Sequence, residues 1–306
     1  MKLWIGVTDN DWFDYLAPKR LDEVNFWQPS GRRPTRLLAP GIPFFFKLHA
    51  PYNFIVGGGF FVRFSVLPAR LAWTAFGEAN GVASYEALRK RLAKYRRTDD
   101  PKGEPEIGCN VLNDPFFFPK NEWIKLPEDF KLNTQVGKAY DTEQPLGARL
   151  WSVVRERLLR TPARAELAIE DAVRGDRLYL AKARIGQGSF RVLVTDAYNR
   201  RCAISGERTL PVLEAAHILP YAAKGPNVVS NGLLLRSDLH TLFDQGYITV
   251  NGNLQVEVSY RIKDDYENGR EYYWFDGKPL VQLPIDPSDY PSTGFLTWHR
   301  NERFRG

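Results

Sequence analysis

Histidine is scarce in this sequence, and two of its four histidines stand within one short stretch. His217 and His240 flank Asn231 in the segment from Arg201 to Gly246. A neutral imidazole titrates close to neutral pH, so it can take a proton from water or bind a metal ion. An asparagine amide does not titrate, which suits it to holding other groups in place. This stretch therefore carries the strongest chemical signal in the chain.

The residues around this series predict the elements that position it. The segment VLEAAHI at 212–218 is typical of a strand that ends near His217. After a loop that contains residues 224–227, the chain returns as a second strand from Asn231. Ser237 then caps a helix that Gly246 ends. The predicted order is strand, loop, strand, helix.

Three motifs carry the series in order: A-A-H-I, S-N-G-L-L-L and D-L-H-x-L-F-D. Over about residues 201–250 the chain resembles the HNH endonucleases, whose core is a ββα-metal arrangement. The resemblance implies phosphodiester hydrolysis in which His217 is the general base and His240 is a metal ligand. It implies that Asn231 orients the hairpin and His217 through its side-chain amide. The implied cofactor is a divalent metal, with Mg²⁺ first and Mn²⁺ or another divalent ion as alternatives.

Two carboxylates are candidates for the rest of the metal shell. Asp244 follows His240 by four residues and therefore shares its helical face. Many HNH enzymes place a metal-binding Asp or His directly before the base, whereas this chain has Ala216 there. Strand alternation puts Glu214 on the same face as residue 216, which makes its longer side chain a further candidate. A surface acid without a ligand role is the alternative for Asp244.

The first half of the chain consists mostly of short aromatic and β-branched runs between turns, which predicts a β-rich domain. Its motifs include EVNFWQ at 23–28, L-x-P-G-x-x-F-F-F-K-L-H ending at His49, and N-F-I-V-G-G-G-F-F from Asn53. Over about residues 1–140 these motifs resemble the EVE branch of the PUA-like fold, a small β-barrel related in shape to SRA domains. The resemblance implies a receptor for a modified base, usually a modified cytosine, that is flipped out of DNA.

A flipped base needs flat apolar walls for stacking and a few polar groups that read its edge. Trp27 and Asn25 occupy the motif that matches the family. Trp4, His49 and Asn53 lie on elements that are candidates to line the same pocket. We therefore expect these five residues to bind the base. The alternative is that the aromatic residues simply fill the core of the barrel.

Between the two regions, the sequence predicts a helical connector. Apolar residues at helical spacing after Pro145, and the start signal Thr161-Pro162, indicate two helices. The expected organisation is an α+β protein with a PUA-like barrel, a connector and an HNH nuclease domain, at 1–140, 141–185 and 186–306. Arg184 and Arg191 flank the HNH motif and are candidates for contact with DNA phosphates, with a solvated basic face as the alternative.

The composition limits the class of protein. A net charge of +6 and a pI near 9.2 are compatible with a nucleic-acid partner, although many proteins of other classes are equally basic. Two cysteines, Cys109 and Cys202, are too few for a disulfide framework or a four-cysteine zinc site, which favours a reducing cytoplasm. The N-terminus lacks the apolar core of a signal peptide, and no apolar run approaches the ~20 residues that span a bilayer. We therefore expect a cytoplasmic protein without a membrane partner.

Together, the two resemblances favour a modification-dependent endonuclease that binds a modified cytosine in double-stranded DNA and cuts nearby. Cutting both strands with one active site per chain favours a homodimer. Two alternatives stay open at this point. An HNH fold that has lost activity would act as a nucleic-acid sensor, for which Ala216 is the argument. A PUA-like domain is also compatible with an RNA-directed protein.

Overall fold

The computed structural model describes residues 1–31, 38–96, 103–160 and 185–306. These residues divide into two units, Met1–Ser189 and Phe190–Gly306. Both units combine helices with strands, which confirms the α+β class. Within the described ranges, no helix is long and apolar enough to cross a membrane. Arg184 and the predicted helix that starts at Thr161-Pro162 lie outside the described residues.

The first unit is built on one seven-stranded sheet. Its strands are β1 (Lys2–Thr8), β2 (Glu23–Gln28), β3 (Pro43–Leu48), β4 (Phe54–Pro68), β5 (Glu106–Phe117), β6 (Ile124–Lys125) and β7 (Gly137–Asp141). The hydrogen-bonded order is β2-β5-β4-β3-β1-β7, and β6 pairs with β4. Strand β1 runs parallel to β3, and the other ladders are antiparallel. No ladder of the described residues joins β2 to β7, so the strands do not close into the expected barrel there.

The hairpin of β3 and β4 is the one that the two aromatic runs predict. Its glycines allow neighbouring backbones to approach closely. A Cβ on Gly57 would lie 2.2 Å from the carbonyl oxygen of Phe116, and one on Gly58 would lie 2.7 Å from that of Phe44. The register with β5 shifts just beyond Gly58. No larger residue fits this crowded crossing without moving a strand.

Helices cover both faces of this sheet. They are α1 (Asn10–Leu16), α2 (Ala69–Phe76), α3 (Tyr85–Arg96) and α4 (Pro145–Leu159). Side chains alternate along β3, so Phe44 and Phe46 join the apolar cluster that contains α1, whereas Phe45 joins the cluster that contains α4. Burial of large aromatic side chains on both faces, each contributing about 1.5–3 kcal/mol, holds these helices to the sheet.

The second unit contains the predicted strand, loop, strand and helix. Helix α5 (Gln187–Ala197) leads into it, and the hairpin of β8 (Leu213–His217) and β9 (Gly232–Arg236) is followed directly by α6 (Ser237–Asp244). The remaining elements are β10 (Ile248–Val250), β11 (Val256–Val258), α7 (Arg261–Tyr266), α8 (Arg270–Tyr273) and α9 (Thr293–Glu302). His217 ends β8, Asn231 directly precedes β9, and His240 lies on α6.

The C-terminal helix α9 packs on α6 through an imidazole. The rings of His299 and Phe243 stack with centroids 3.7 Å apart and planes 10° apart. His299 donates from Nε2 to the carbonyl oxygen of Phe243 at 3.1 Å, and the hydroxyl of Thr249 donates to its Nδ1 at 2.9 Å. Burial lowers the pKa of His299 to about 4, so this histidine is a neutral part of the core.

Candidate functional site

The imidazole of His217 is held between a ring and an amide. His217 ends β8, and its ring stacks on Phe190 of α5 with centroids 3.9 Å apart and planes 13° apart. Its Nε2 lies 2.8 Å from Oδ1 of Asn227. Because an amide oxygen only accepts, Nε2 carries the proton in this arrangement and donates it to Asn227. The other ring nitrogen, Nδ1, is then the basic atom.

Burial lowers the pKa of His217 below its ordinary value of 6.5. The hydrogen bond to Asn227 opposes this change, the neighbouring His240 adds to it, and the Asp244 carboxylate opposes it. The net direction favours the neutral imidazole at pH 7. A neutral imidazole is the form that can accept a proton from water.

Asn231 directly precedes β9 and is completely buried. Its Nδ2 donates to the carbonyl oxygens of Leu219 and Pro226, both at 2.9 Å, and its Oδ1 accepts from the N–H of Leu219 at 2.8 Å. These bonds close the loop between the two strands of the hairpin. The amide holds Pro226, whose neighbour Asn227 contacts His217, so Asn231 reaches the imidazole through the loop.

His240 lies on α6 between two carboxylates. Its Nδ1 is 2.6 Å from Oε2 of Glu214, and its Nε2 is 3.3 Å from Oδ2 of Asp244. The first partner comes from β8, and the second lies one helical turn beyond His240 on the same face. The structure therefore brings together the three side chains that the sequence nominates as metal ligands.

These three side chains suit a divalent cation by their chemistry, since imidazole nitrogen and carboxylate oxygen are ligands of Mn²⁺, and carboxylates are ligands of Mg²⁺. No group of three His, Cys, Asp or Glu side chains in the described ranges is arranged to hold an ion as it stands. Both nitrogens of His240 face carboxylates, so one of these contacts has to open when a metal binds. Mg²⁺ retains several water ligands in protein sites, so an incomplete set of protein donors is sufficient for it.

Arg191 is the described member of the pair of arginines expected to contact phosphate. It lies on α5, next to the residue that stacks on His217. Its Nε is buried and has no hydrogen-bond partner among the described residues. Burial lowers its pKa, and the Glu214 carboxylate opposes this effect. The structure thus places this arginine near Glu214 and leaves its contact with phosphate a prediction.

The first unit contains a separate cavity of about 510 Å³. Aromatic side chains form much of its wall, together with a few polar groups; the lining includes Trp12, Phe26, Trp27, Tyr95, Asp9, Gln28 and His49. Trp27 and Tyr95 meet edge to face with ring centroids 6.3 Å apart. The hydroxyl of Tyr95 donates to Oδ2 of Asp9 at 2.5 Å. The indole N–H of Trp12 is buried without a partner among the described residues.

The five residues nominated for base binding separate into two groups. Trp27 and His49 line the cavity. Asn25 is fully buried and donates to Oδ1 of Asn80 at 2.9 Å, Trp4 is buried against Phe44, and Asn53 accepts from Nζ of Lys47 at 2.9 Å. These three are not among the lining residues of the cavity.

The sequence did not nominate several residues of the two sites, among them Asn227, Phe190, Asp9, Trp12 and Tyr95. The sequence pattern places Phe190 and Tyr95 on apolar faces of helices, but it does not indicate which residues they contact. The sequence pattern predicts an acidic turn at Asp9 after a strand and a short helix that contains Trp12. Asn227 stands in a Lys-Gly-Pro-Asn loop and had no signal beyond turn propensity.

Comparison with known families gives one match within the chain. The family model of HNH endonucleases matches residues 202–251, which include the whole His–Asn–His series. This match confirms the resemblance drawn from the motifs: residues 202–251 are similar to the HNH endonucleases. No curated protein matches the chain.

Several solved structures are similar to the chain. A mutant form of the ASCH protein from Zymomonas mobilis has a TM-score of 0.36 and 13% identity, and covers 50% of this chain and 98% of its own. The unmutated protein has a TM-score of 0.34 and 13% identity, and covers 49% of this chain and 93% of its own. The modification-dependent restriction endonuclease TagI has a TM-score of 0.30 and 13% identity, and covers 98% of this chain and 81% of its own.

Proposed function

We propose that the protein is a DNA endonuclease that hydrolyses phosphodiester bonds at the HNH site, with His217 as general base. The observation that carries this proposal is the state of His217: a neutral, partly buried imidazole whose Nε2 is engaged and whose Nδ1 is basic. It lies in the segment that matches the HNH family. Phosphodiester hydrolysis needs a base for water and positive charge on the phosphate, and this segment offers residues for both.

In this proposal a divalent metal would be held by His240 and Asp244, and Glu214 would complete or orient the set. When bound, it supplies positive charge at the scissile phosphate and the leaving oxygen. Glu214 orients the His240 ring through Nδ1. Arg191, whose charge interacts with that of Glu214, would contribute positive charge for the phosphate. His217 takes the proton of the attacking water at Nδ1.

We further propose that the cavity of the first unit receives a modified cytosine flipped out of double-stranded DNA. Its aromatic wall supplies the stacking surface that an extruded base needs, and its polar residues can read the edge of the base. Trp27 is well suited to stacking, because its indole N–H already donates to the carbonyl oxygen of Asn80 at 2.8 Å and the ring is fixed in place. Asn25, Trp4 and Asn53 would then support the cavity from outside its lining.

The first experiment separates cutting from binding. Purified protein is incubated with Mg²⁺, Mn²⁺ or no metal and with plasmid DNA that carries modified or ordinary cytosine. We expect metal-dependent cleavage of the modified DNA only. His217→Ala should reduce cleavage by about 10²- to 10⁴-fold, because a general base contributes that much, while DNA binding persists. Equal cutting of both plasmids would refute the base-reading part, and an unaffected His217→Ala variant would refute the catalytic part.

A binding module without activity is the second candidate, because Ala216 is buried and supplies no ligand where many HNH enzymes have one. Absence of nicking with every divalent metal, together with retained binding of modified DNA, would favour this candidate. Competition between modified duplex DNA and tRNA tests the RNA-directed alternative. Sedimentation of the protein with and without cleavable duplex tests whether two chains assemble to cut both strands.

A further inference from the structure

Neither the family resemblance nor the sequence motifs assign a role to Asn227. It lies in the loop between β8 and β9, ten positions after His217, and its Oδ1 is 2.8 Å from Nε2 of the imidazole. The contact joins two side chains, so it depends on the identity of residue 227 and not on the loop backbone alone. An amide oxygen cannot donate, so it can only stabilise a histidine whose Nε2 carries the proton.

We propose that Asn227 is a positioning residue that fixes His217 in the Nε2–H tautomer and leaves Nδ1 as the proton-accepting atom. The inference rests on the proposed function for its catalytic meaning, whereas the tautomer itself is a property of the protein without DNA or metal. Free histidine exchanges its proton between both nitrogens, so an unfixed ring presents the wrong atom part of the time.

Phe190 supplies the second constraint. Its ring lies nearly parallel to the imidazole, with 3.9 Å between the centroids, so it limits tilting of the ring but is indifferent to which nitrogen carries the proton. Asn227 contacts the edge of the ring and distinguishes the two nitrogens. Together, one residue fixes the plane and the other fixes the direction of the basic atom within that plane.

The loop keeps Asn227 in place through the residue before it. The side chain of Asn231 donates to the carbonyl oxygen of Pro226 at 2.9 Å. A Cβ on Gly225 would lie 1.8 Å from the carbonyl oxygen of Leu219, so the loop closes on itself too tightly for any side chain there. Asn231, the asparagine of the His–Asn–His series, thus acts on His217 through Pro226 and Asn227.

The test reads the ring nitrogens directly. With only four histidines, protein labelled with ¹⁵N-histidine gives resolvable imidazole spectra, and His217→Gln identifies the His217 signals. In metal-free protein above pH 7, we expect a protonated Nε2 and an unprotonated Nδ1 at His217. Asn227→Ala should replace this pattern by averaged signals of both tautomers, and Asn227→Asp, which keeps an acceptor oxygen, should restore it.

His299 is the internal control, because its Nε2–H tautomer is fixed by Phe243 and Thr249 and involves neither Asn227 nor His217. Its signals should be unchanged in each variant, which shows that the unit is folded. An Nδ1–H tautomer in the wild type would overturn the proposal. So would an Asn227→Ala variant whose His217 signals match those of the wild type.

The kinetic arm links the tautomer to cleavage. Asn227→Ala should lower kcat by on the order of 10²-fold with little change in KM, since misplacing a reacting group has effects of that size, and Asn227→Asp should recover part of the loss. A fixed tautomer in a wild-type protein that never cleaves DNA would refute the proposed function and leave the role of Asn227 on the ring intact. Cleavage unaffected by Asn227→Ala would overturn its positioning role.

Discussion

Glu214 and His240 are 26 residues apart in the chain, yet Oε2 of the first lies 2.6 Å from Nδ1 of the second. The contact ties β8 to α6 and leaves Nε2 of His240 facing Asp244. In metal sites, a carboxylate that accepts a hydrogen bond from the histidine nitrogen that does not bind the metal fixes the orientation of the ring. If His240 binds the metal as proposed, Glu214 would compensate for the alanine at residue 216 by orienting that ligand.

Removing the Glu214 carboxylate should weaken metal binding. We expect Glu214→Gln to reduce the affinity for Mn²⁺ by about 10- to 100-fold, because partners that orient a ligand have effects of this size. Titration calorimetry on the whole protein measures the change. Glu257→Gln is the matched control, since it removes a carboxylate that pairs with Arg300 instead. Equal affinity in both variants would show that Glu214 neither binds the metal nor orients His240 for it.

The pH dependence of cleavage should reflect the lowered pKa of His217. Protonation removes the base, so activity falls as pH decreases through the pKa of the folded state. Burial places this pKa below 6.5, with His240 and Asp244 as the charged neighbours. We therefore expect the acid limb of the single-turnover rate, measured at saturating metal, to lie below pH 6.5. Phe190→Leu should expose the ring and move the limb upwards; a limb at or above 6.5 in the wild type would contradict this account.

Asn231 should be costly to replace, because its amide satisfies three backbone groups in a fully buried place. Leaving a buried polar group unpaired costs about 1–3 kcal/mol, so Asn231→Ala should lower the free energy of unfolding by at least roughly 3 kcal/mol. Denaturant unfolding measures this quantity. Asn251→Ala provides the comparison, since Asn251 bonds to backbone N–H groups in a more exposed turn where water can substitute. Similar losses in the two variants would argue against this explanation.

His299 should make the stability of the protein depend on pH. Folding lowers its pKa from 6.5 to about 4, so the unfolded chain binds the proton more readily over this interval. The free energy of unfolding therefore decreases as pH falls from 6.5 to about 4, by about 3 kcal/mol from this residue, and the contribution is complete above pH 6.5.

The measurement compares the wild type with His299→Gln, whose amide can still donate to Phe243 and accept from Thr249. Other groups titrate in both proteins, so the informative quantity is the difference between the two curves of unfolding free energy against pH. That difference should change between pH 6.5 and about 4 and stay constant above 6.5. A constant difference throughout would show that His299 is not responsible.

The nuclease segment was largely predictable because its signals are local. Strand, turn and helix propensities set the order of elements, and helical spacing placed Asp244 beside His240. Contacts that depend on loop closure or packing between elements were not predictable. Asn227 reaches His217 only after the loop has folded around Asn231, and Phe190 reaches it from a helix more than twenty residues upstream.

The first unit shows the same division. The aromatic runs predicted the β3–β4 hairpin, and Trp27 and His49 line the cavity. Alternation along β2 puts Asn25 on the same face as Trp27, yet Asn25 is covered by Asn80 whereas Trp27 lies nearer the strand end, at the cavity. The burial of a side chain on a strand depends on which residues pack over that position. The alternation of side chains does not indicate which residues those are.

Gly232 pairs with His217 across the hairpin, and its Cα faces side chains of α5. A Cβ at this position would lie 2.5 Å from Val194 Cγ2 and 3.0 Å from Phe190 Cζ, the ring on which His217 stacks. A single methyl group here would push against the Phe190 ring that stacks on the imidazole. Substitutions of this glycine should therefore be poorly tolerated although it has no side chain that could react, and second-site changes that rescue them should fall in α5.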